Sequence, residues 1–332
     1  MTIGIGVIGA GVMGSEHARL FCEELHGAKL VAVADQNPDA ATSAARGGAI
    51  YTTGLELIAD DQVDAVLIAS PDDTHFGLVK ACLEVGKPVL CEKPLAITSE
   101  ECLELAQLDC ISDKRLIDVG FMRRFDPTYR DLKRHLDSGA LGLPRIVHNQ
   151  HRNANAPAWF TANMALTNSA VHEIDICRWL LGAEYMTARI LQAPAASGAA
   201  FGDPVLITFE TNRGTIVSTE IFMNARYGYH VQCEIAGSKG NATMAHPDTT
   251  RLRLDRGEKG AFPANWIPRF ADAYRMQNQA WINAIKTGNH AGLASAWDGF
   301  VATFIAEKLV EAAKLGEVVQ LVLPDHPCSQ SD

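Results

Sequence analysis

The chain lacks the features that mark membrane, disulfide-rich and nucleic-acid-binding proteins. No apolar run is long enough to span a bilayer, and the amino terminus enters an apolar, strand-like stretch without a basic leader. Lys and Arg number 29 against 39 Asp and Glu, and the formal net charge of −10 disfavours nucleic acid or an anionic membrane as a partner. The eight cysteines show neither C-x-x-C nor a Cys/His spacing typical of zinc sites. We therefore expect reduced, mostly buried thiols, no metal, and a cytoplasmic protein.

The residues that are present have an ordinary globular composition, with 47% hydrophobic and 20% charged residues. A length of 332 residues exceeds the usual single-core size, so two domains are expected. No internal repeat or low-complexity linker separates them. A change of pattern near residue 122 predicts a nucleotide-binding domain over 1–122 and a second domain over 123–332.

A glycine-rich turn near the amino terminus is the first functional signal. The apolar stretch 4–8 is followed by Gly9, Gly11 and Gly14 in a G-x-G-x-x-G pattern, and a helix-compatible segment comes next. The first glycine permits a tight turn, the second permits close approach of a pyrophosphate, and the third permits close helix packing. The helix amino terminus, with Val12 and Met13, would face the phosphates.

An acidic residue strengthens the interpretation, because three glycines alone also occur in turns that bind nothing. Residues 29–35 predict a second strand that ends in Asp35, about 20 residues beyond the motif, where a ribose-binding carboxylate is expected. Asp35 would accept hydrogen bonds from the ribose hydroxyls and repel a 2′-phosphate. The sequence therefore favours NAD over NADP.

The remainder of the first domain alternates between helix and strand patterns. Strands are predicted at 63–69, 87–91 and 115–119, with helices at 38–46, 55–59, 75–85 and 99–108 between them. This alternation predicts a doubly wound parallel sheet with its ligand crevice beyond the carboxyl ends of the strands. Ser70, His75, Glu92 and Lys93 fall at that edge and are candidate cofactor-binding residues.

The second half reads differently. Strands are predicted near 144–151, 185–193, 204–210, 214–223, 229–236 and 249–254, several of them joined by short turns, after a helix over 127–138. Adjacent strands with short turns predict an α+β domain with a large, mostly antiparallel sheet. Helices near 168–181, 270–287 and 292–315 would cover one face, and self-association would cover the other.

Two polar side chains are candidates for proton chemistry. In 168–182, helical spacing puts Asn168, His172 and Asp175 on one side, with an apolar side for the core and Gly182 as a stop. A helical histidine is most often structural, but flanking polar groups could orient a base. Lys93, before Pro94, is either a solvated loop residue or a cation that stabilises a developing alkoxide.

Together these motifs identify a resemblance. Gly-Ala-Gly-Val-Met-Gly at 9–14, Asp35, Glu-Lys-Pro at 92–94 and His-Glu-Ile-Asp at 172–175 resemble the glucose-fructose oxidoreductase / inositol dehydrogenase family, and the likeness covers nearly the whole chain. It implies an NAD-dependent oxidoreductase that oxidises a ring polyol, foremost myo-inositol to 2-keto-myo-inositol (scyllo-inosose), as a homotetramer.

The resemblance also implies residue roles. His172 is the general base for the hydroxyl proton and Lys93 assists it beside the cofactor. The residues implied in holding the other hydroxyls are Arg123, His151, Asn153, Asp175 and Tyr229. One departure concerns Asn168, where the family usually has an aspartate; an amide cannot stabilise an imidazolium as a carboxylate does. Asn168 is therefore either part of the catalytic set or a helix cap.

Three alternatives stay open. In the first alternative, the enzyme oxidises another inositol isomer, a pyranose or an anhydrosugar. The protein is a non-catalytic dinucleotide sensor in the second, which the presence of both Lys93 and His172 disfavours. In the third alternative, the protein binds nucleic acid or a membrane. Only short basic pairs such as Arg123-Arg124 support it.

Overall fold

A computed structural model describes residues 2–193, 203–245 and 252–329. The chain divides into two compact units that are interleaved in sequence. The first contains Met1–Phe125, Asp272–Phe304 and Leu323–Asp332, and the second contains Asp126–Ala271 and Ile305–Val322. The first crossing between the units lies close to the boundary predicted after residue 122. The domain limits themselves stay a prediction.

The elements follow the chain in this order. The strands are β1 (Ile3–Ile8), β2 (Ala28–Ala34), β3 (Ala49–Tyr51), β4 (Ala65–Ile68), β5 (Val89–Cys91), β6 (Ile117–Val119), β7 (Pro144–Arg152), β8 (Tyr185–Gln192), β9 (Val205–Thr211), β10 (Ile216–Phe222), β11 (His230–Gly237), β12 (Asn241–Thr243), β13 (Leu252–Leu254), β14 (Gly257–Lys259), β15 (Ala294–Ser295) and β16 (Val319–Gln320). The α-helices are α1 (Val12–Glu23), α2 (Pro38–Ala45), α3 (Gly54–Ile58), α4 (His75–Glu84), α5 (Ser99–Cys110), α6 (Pro127–Asp137), α7 (Val171–Leu181), α8 (Trp266–Thr287) and α9 (Ala296–Leu315). Within the described residues, none of these helices has both the length and the apolar character needed to cross a membrane.

The first unit is built on a seven-stranded sheet in the order β15-β6-β5-β4-β1-β2-β3. β1 to β6 are parallel, and β15 joins the edge antiparallel to β6. The order 3-2-1-4-5-6 is that of a dinucleotide-binding doubly wound sheet. Its central strands are apolar and fully buried, as strands covered on both faces must be. The predicted parallel sheet is confirmed.

Local sequence explains where the first unit's helices begin. The Asn37 side chain accepts from the backbone N–H groups of Asp39 and Ala40 at the start of α2. Thr53 and Thr98 form capping boxes at α3 and α5. Such caps satisfy N–H groups that the first helical turn leaves open, so each helix starts at a defined residue.

The second unit is built on another seven-stranded sheet, in the order β12-β11-β7-β10-β9-β8-β16. All pairs are antiparallel except β7 with β10, which run parallel. Buried and partly exposed residues alternate along β9 and β11, as on a sheet with one covered face. The predicted antiparallel sheet is confirmed, whereas residues 249–251 of the predicted strand 249–254 lie outside the described residues.

Two expectations about covering and redox state need correction. The helices near 270–287 and 292–315 were expected to cover the sheet of the second unit. Asp272–Phe304 belongs to the first unit instead, and this range contains most of α8 and the first part of α9. The cysteines are not all reduced: Cys110 and Cys328 form a disulfide with Cα atoms 5.4 Å apart. A separation of 218 residues hid this pairing, because spacing reveals only local Cys motifs.

Candidate active site

The glycine turn of the first unit has the geometry its motif requires. Gly9 has φ +92°, a left-handed conformation that favours glycine. A Cβ at Gly14 would lie 1.8 Å from the Gly9 carbonyl oxygen, so only glycine lets α1 approach β1 this closely. A Cβ at Gly11 would meet nothing within 4 Å, and no side chain caps the start of α1 there. The turn leaves an open cradle in front of helix N–H groups, which fits a pyrophosphate.

Asp35 stands at the end of β2 beside this turn. One carboxylate oxygen accepts from Ala10 N at 2.6 Å and the other from Asn37 N at 2.8 Å. Its side chain lines a cavity of about 380 Å³ together with Gly9, Thr53 and Ser70. The cavity, the carboxylate and the cradle together fit the adenosine half of NAD.

Ser70 and His75 lie after β4 and make hydrogen bonds at this edge of the crevice. The Ser70 and Thr74 hydroxyls are 2.6 Å apart, and Thr74 also donates to the Pro71 carbonyl. The buried His75 ring lies between two carbonyl oxygens, with Nε2 2.9 Å from Ser70 O and Nδ1 2.7 Å from Pro94 O. His75 therefore links the segment after β4 to the segment after β5. Thr74 occupies the amino-terminal position of α4 without a side-chain cap there.

Glu92 and Lys93 follow β5, whose last residue is Cys91. The Glu92 carboxylate is held by a buried histidine, His17 of α1, at 2.9 Å from Nε2. Burial, and secondarily the Glu92 charge, raise the pKa of the Cys91 thiol well above its usual value. Cys91 is thus a protonated core residue, and the ionic groups at this strand end are Glu92 and the partly buried Lys93.

In the second unit the structure assembles a buried cluster around His151 of β7. Its Nδ1 lies 3.1 Å from Glu173 Oε2, and its Nε2 lies 3.5 Å from the Tyr229 hydroxyl. The His151 ring centroid is 6.5 Å from that of His172 and 5.7 Å from that of Tyr229. Three of the residues predicted for substrate and catalysis are therefore neighbours, and each is buried.

The base candidate lies in the first turns of α7. His172 is 9% exposed and Asp175 is 3% exposed, on a helix that ends at Gly182 with φ 55° as predicted. The interpretation of Asn168 as a helix cap is wrong. The residue lies in a π-helical turn, Ala165–Ser169, and Ala170 occupies the α7 amino-terminal position.

The remaining candidates are placed in different units. Arg123 belongs to the first unit, in a short 3-10 turn (Met122–Phe125), and is 1% exposed. Asn153 follows β7 in the second unit, where its backbone bonds Phe222 and Ala225. Its side-chain oxygen is buried and has no hydrogen-bond partner among the described residues. That oxygen offers an acceptor of the kind a polyol hydroxyl would use.

Three buried residues of these networks were not predicted from the sequence: His17, Glu173 and Asn278. His17 follows Gly14 by three residues on α1, and Asn278 lies on α8 and bonds it. Glu173 offered a signal in the sequence, since it is an acidic residue inside the His-Glu-Ile-Asp string. In the structure it is 1% exposed. His17 and Asn278 offered none, because 261 residues separate them.

Comparisons with known proteins agree with this geometry. The model of the oxidoreductase family with an NAD-binding Rossmann fold matches residues 3–121, and that of the GFO/IDH/MocA C-terminal domain matches residues 129–243. The chain is 45% identical to inositol 2-dehydrogenase 1 of Saccharopolyspora erythraea, over 98% of both chains.

Two solved structures are similar over most of their length. Myo-inositol dehydrogenase from Lactobacillus casei, in complex with NAD(H) and myo-inositol, has a TM-score of 0.93 and 32% identity, covering 98% of each chain. Scyllo-inositol dehydrogenase from the same organism, with NAD(H) and scyllo-inositol, has a TM-score of 0.88 and 26% identity, covering 96% of this chain and 99% of the other. The likeness extends through both units.

Proposed function

Because this chain belongs to the GFO/IDH/MocA family of NAD-binding oxidoreductases, we propose that it oxidises myo-inositol to 2-keto-myo-inositol (scyllo-inosose) with NAD. The observation that carries the proposal is the full-length likeness to inositol 2-dehydrogenases and to a structure solved with NAD(H) and myo-inositol. The open glycine cradle and Asp35 support NAD as the cofactor.

Bound NAD would supply the hydride acceptor. In the proposal, His172 accepts the proton of the hydroxyl that is oxidised, because it is an imidazole held in a buried site. Lys93 stabilises the negative charge that develops on the same oxygen. The other ring hydroxyls are assigned to His151, Tyr229 and Asn153, since a neutral polyol needs several uncharged donors and acceptors.

The test is NAD reduction by the purified protein with myo-inositol, its isomers and a panel of pyranoses. We expect the highest kcat/KM with myo-inositol. Lys93→Met and His172→Ala should each lower kcat by about 100-fold or more, as is typical for loss of general acid-base catalysis, while NAD still binds. Activity confined to pyranoses would reject the proposed substrate, and near-normal turnover in either variant would remove that residue from the scheme.

Scyllo-inositol is the second candidate substrate. The likeness to the scyllo-inositol enzyme supports it. The two inositols differ in the orientation of one hydroxyl. A higher kcat/KM with scyllo-inositol in the same assay would therefore favour this alternative.

We also propose that the chain forms a homotetramer through the second unit's sheet. Apolar side chains are exposed on β8 and β10 and next to β16, among them Met186, Ile216 and Val318. Exposed apolar groups on an open sheet favour association. Light scattering after size-exclusion chromatography measures the mass, and a monomer at micromolar concentration would reject this assembly.

A further inference from the structure

A buried series of polar side chains runs through the first unit to Glu92. The Asn278 side-chain nitrogen lies 2.8 Å from His17 Nδ1, and His17 Nε2 lies 2.9 Å from Glu92 Oε1. Asn278 and His17 are fully buried, and Glu92 is 9% exposed. The three residues come from α8, α1 and the segment after β5. They connect the helix behind the glycine turn to the strand end that carries Lys93.

The donor chemistry of these groups fixes the proton on the ring. An amide nitrogen can only donate, so His17 Nδ1 must accept and is unprotonated. The remaining ring proton is then on Nε2, which donates to the Glu92 carboxylate. The Gln277 side-chain nitrogen lies 3.5 Å from the Asn278 oxygen, which agrees with this amide orientation. His17 is therefore a neutral ring of defined tautomer.

Glu92 is confined on its other sides as well. A Cβ at Gly120 would lie 3.0 Å from both the Cα and the Cδ of Glu92, so any larger residue there would press against this side chain. The Lys93 N–H lies 3.3 Å from the second carboxylate oxygen. These contacts and the His17 bond hold the carboxylate in one orientation at the end of β5.

The strand order tells which half of a dinucleotide this carboxylate faces. Asp35 follows β2, on one side of the central strand β1, whereas Glu92 follows β5, two strands away on the other side. In doubly wound sheets the dinucleotide lies across the point where the strand order reverses. With the adenosine half at Asp35, the nicotinamide half extends toward β4 and β5.

We infer that His17 and Asn278 are positioning residues for the nicotinamide half of the cofactor, because they hold the Glu92 carboxylate in an orientation in which it can accept a hydrogen bond from that half. The inference rests on the proposed function in one respect, that the cofactor is NAD. A buried carboxylate without its donor is destabilised, so loss of the His17 bond changes the orientation or the protonation of Glu92.

The test compares two ligands of the same crevice by calorimetry: NAD, and ADP, which lacks the nicotinamide half. His17→Leu removes the donor to Glu92 and should raise the Kd of NAD about tenfold, the effect of losing one hydrogen bond to a charged group. The Kd of ADP should stay within about twofold, since its binding residues are untouched. His17→Gln retains an N–H donor and should keep most of the NAD affinity.

A second variant reports on the ring proton itself. Asn278→Asp replaces a donor by an acceptor, so His17 Nδ1 must become protonated and the ring charged. The Kd of NAD should then differ from that of the wild type, because a charged ring interacts more strongly with the Glu92 carboxylate than a neutral one does. This variant and His17→Gln carry the test if His17→Leu fails to fold.

Leu20→Ala is the matched control, since Leu20 is equally buried on α1 but its side chain has no hydrogen-bonding group. It should lower stability and leave both Kd values unchanged below its melting transition. Unchanged NAD affinity in His17→Leu and Asn278→Asp overturns the inference, and so does an equal loss of NAD and ADP affinity. Because no polyol is present, a wrong substrate assignment would leave these results intact and would appear only in the turnover assay.

Discussion

At the scale of single residues, Asp35 shows how one side chain serves both the turn and the ligand. Its two oxygens accept from Ala10 N and Asn37 N, which fixes the carboxylate at the cavity wall. The remaining lone pairs are available to ribose hydroxyls. The negative charge disfavours a 2′-phosphate at the same position, because like charges repel strongly at contact distance.

Asp35→Ser should therefore lower the preference for NAD over NADP by about tenfold or more, with weaker NAD binding, since serine offers one uncharged oxygen in place of the two carboxylate oxygens. The ratio of kcat/KM values for the two cofactors measures the effect. Asp35→Asn is the control for charge, because it keeps the size of the side chain and one acceptor. If the ratio is unchanged in both variants, discrimination lies with other residues.

Residue identities at this scale were predictable where the backbone itself imposes a requirement. Gly9 and Gly14 are fixed by a positive φ and by a close approach, and both requirements are visible as a spaced motif. His17, Asn278 and Glu173 act through side chains that meet only in the folded chain. The partners His17 and Asn278 are far apart in sequence, so composition and spacing gave no sign of them. For Glu173 the one sign was its place in the His-Glu-Ile-Asp string.

At the scale of elements, long periodic segments were predictable and short ones were not. The strand β3 (Ala49–Tyr51) escaped notice because three residues, two of them exposed, carry no recognisable alternation. The turn Ala165–Ser169 before α7 is π-helical, a form without a sequence signature, so the helix was predicted to start three residues early. The parallel pairing of β7 and β10 is equally invisible locally, because register depends on strands that are distant in sequence.

The start of α6 combines a cap with a buried ion pair. Asp126 accepts from the N–H groups of Thr128 and Tyr129, and Arg269 Nη1 lies 2.5 Å from its other oxygen. The carboxylate is 1% exposed. Removing the Asp126 carboxylate takes away the cap of α6. It also takes away an ionic partner of the largely buried Arg269 guanidinium.

We therefore expect Asp126→Ala to destabilise the protein by about 3 kcal/mol or more, the usual cost of breaking a buried pair. Asp126→Asn retains the cap and should lose less. The exposed pair of Asp131 with Arg134 on the same helix provides a control, since Asp131→Ala should leave the stability nearly unchanged. Midpoints of urea unfolding measure all three, and equal midpoints for Asp126→Ala and Asp131→Ala would contradict the assignment.

At the scale of the whole molecule, the two sheets were predictable and the path of the chain between units was not. Each unit takes up segments from distant parts of the sequence, and β15 (Ala294–Ser295) joins the first sheet at its β6 edge. A strand of two residues is too short to have a recognisable sequence pattern. The disulfide between α5 and the carboxyl-terminal segment was equally unpredictable, since it joins residues 110 and 328, which are distant in sequence.

The cysteines give a prediction for the intact chain. Cys82, Cys91, Cys102, Cys177 and Cys233 are buried, Cys22 is exposed, and Cys110 and Cys328 share the disulfide. Burial raises the pKa of Cys82 to about 12 and raises the pKa of Cys91 well above its usual value, so these thiols carry almost no thiolate at pH 8. Native protein should take up one iodoacetamide group per chain before reduction and three after mild reduction, counted by intact mass.

Loss of the disulfide should also lower the stability. It closes a loop of more than 200 residues, for which chain entropy gives about 5 kcal/mol as an upper figure, and measured values for native disulfides are commonly 2–5 kcal/mol. Cys328→Ser should thus melt several degrees below the oxidised wild type and match the reduced wild type, whereas Cys22→Ser should melt with the wild type. Three alkylated cysteines without prior reduction, together with a melting temperature that reductant does not change, would show that the two sulfurs are not bonded in solution.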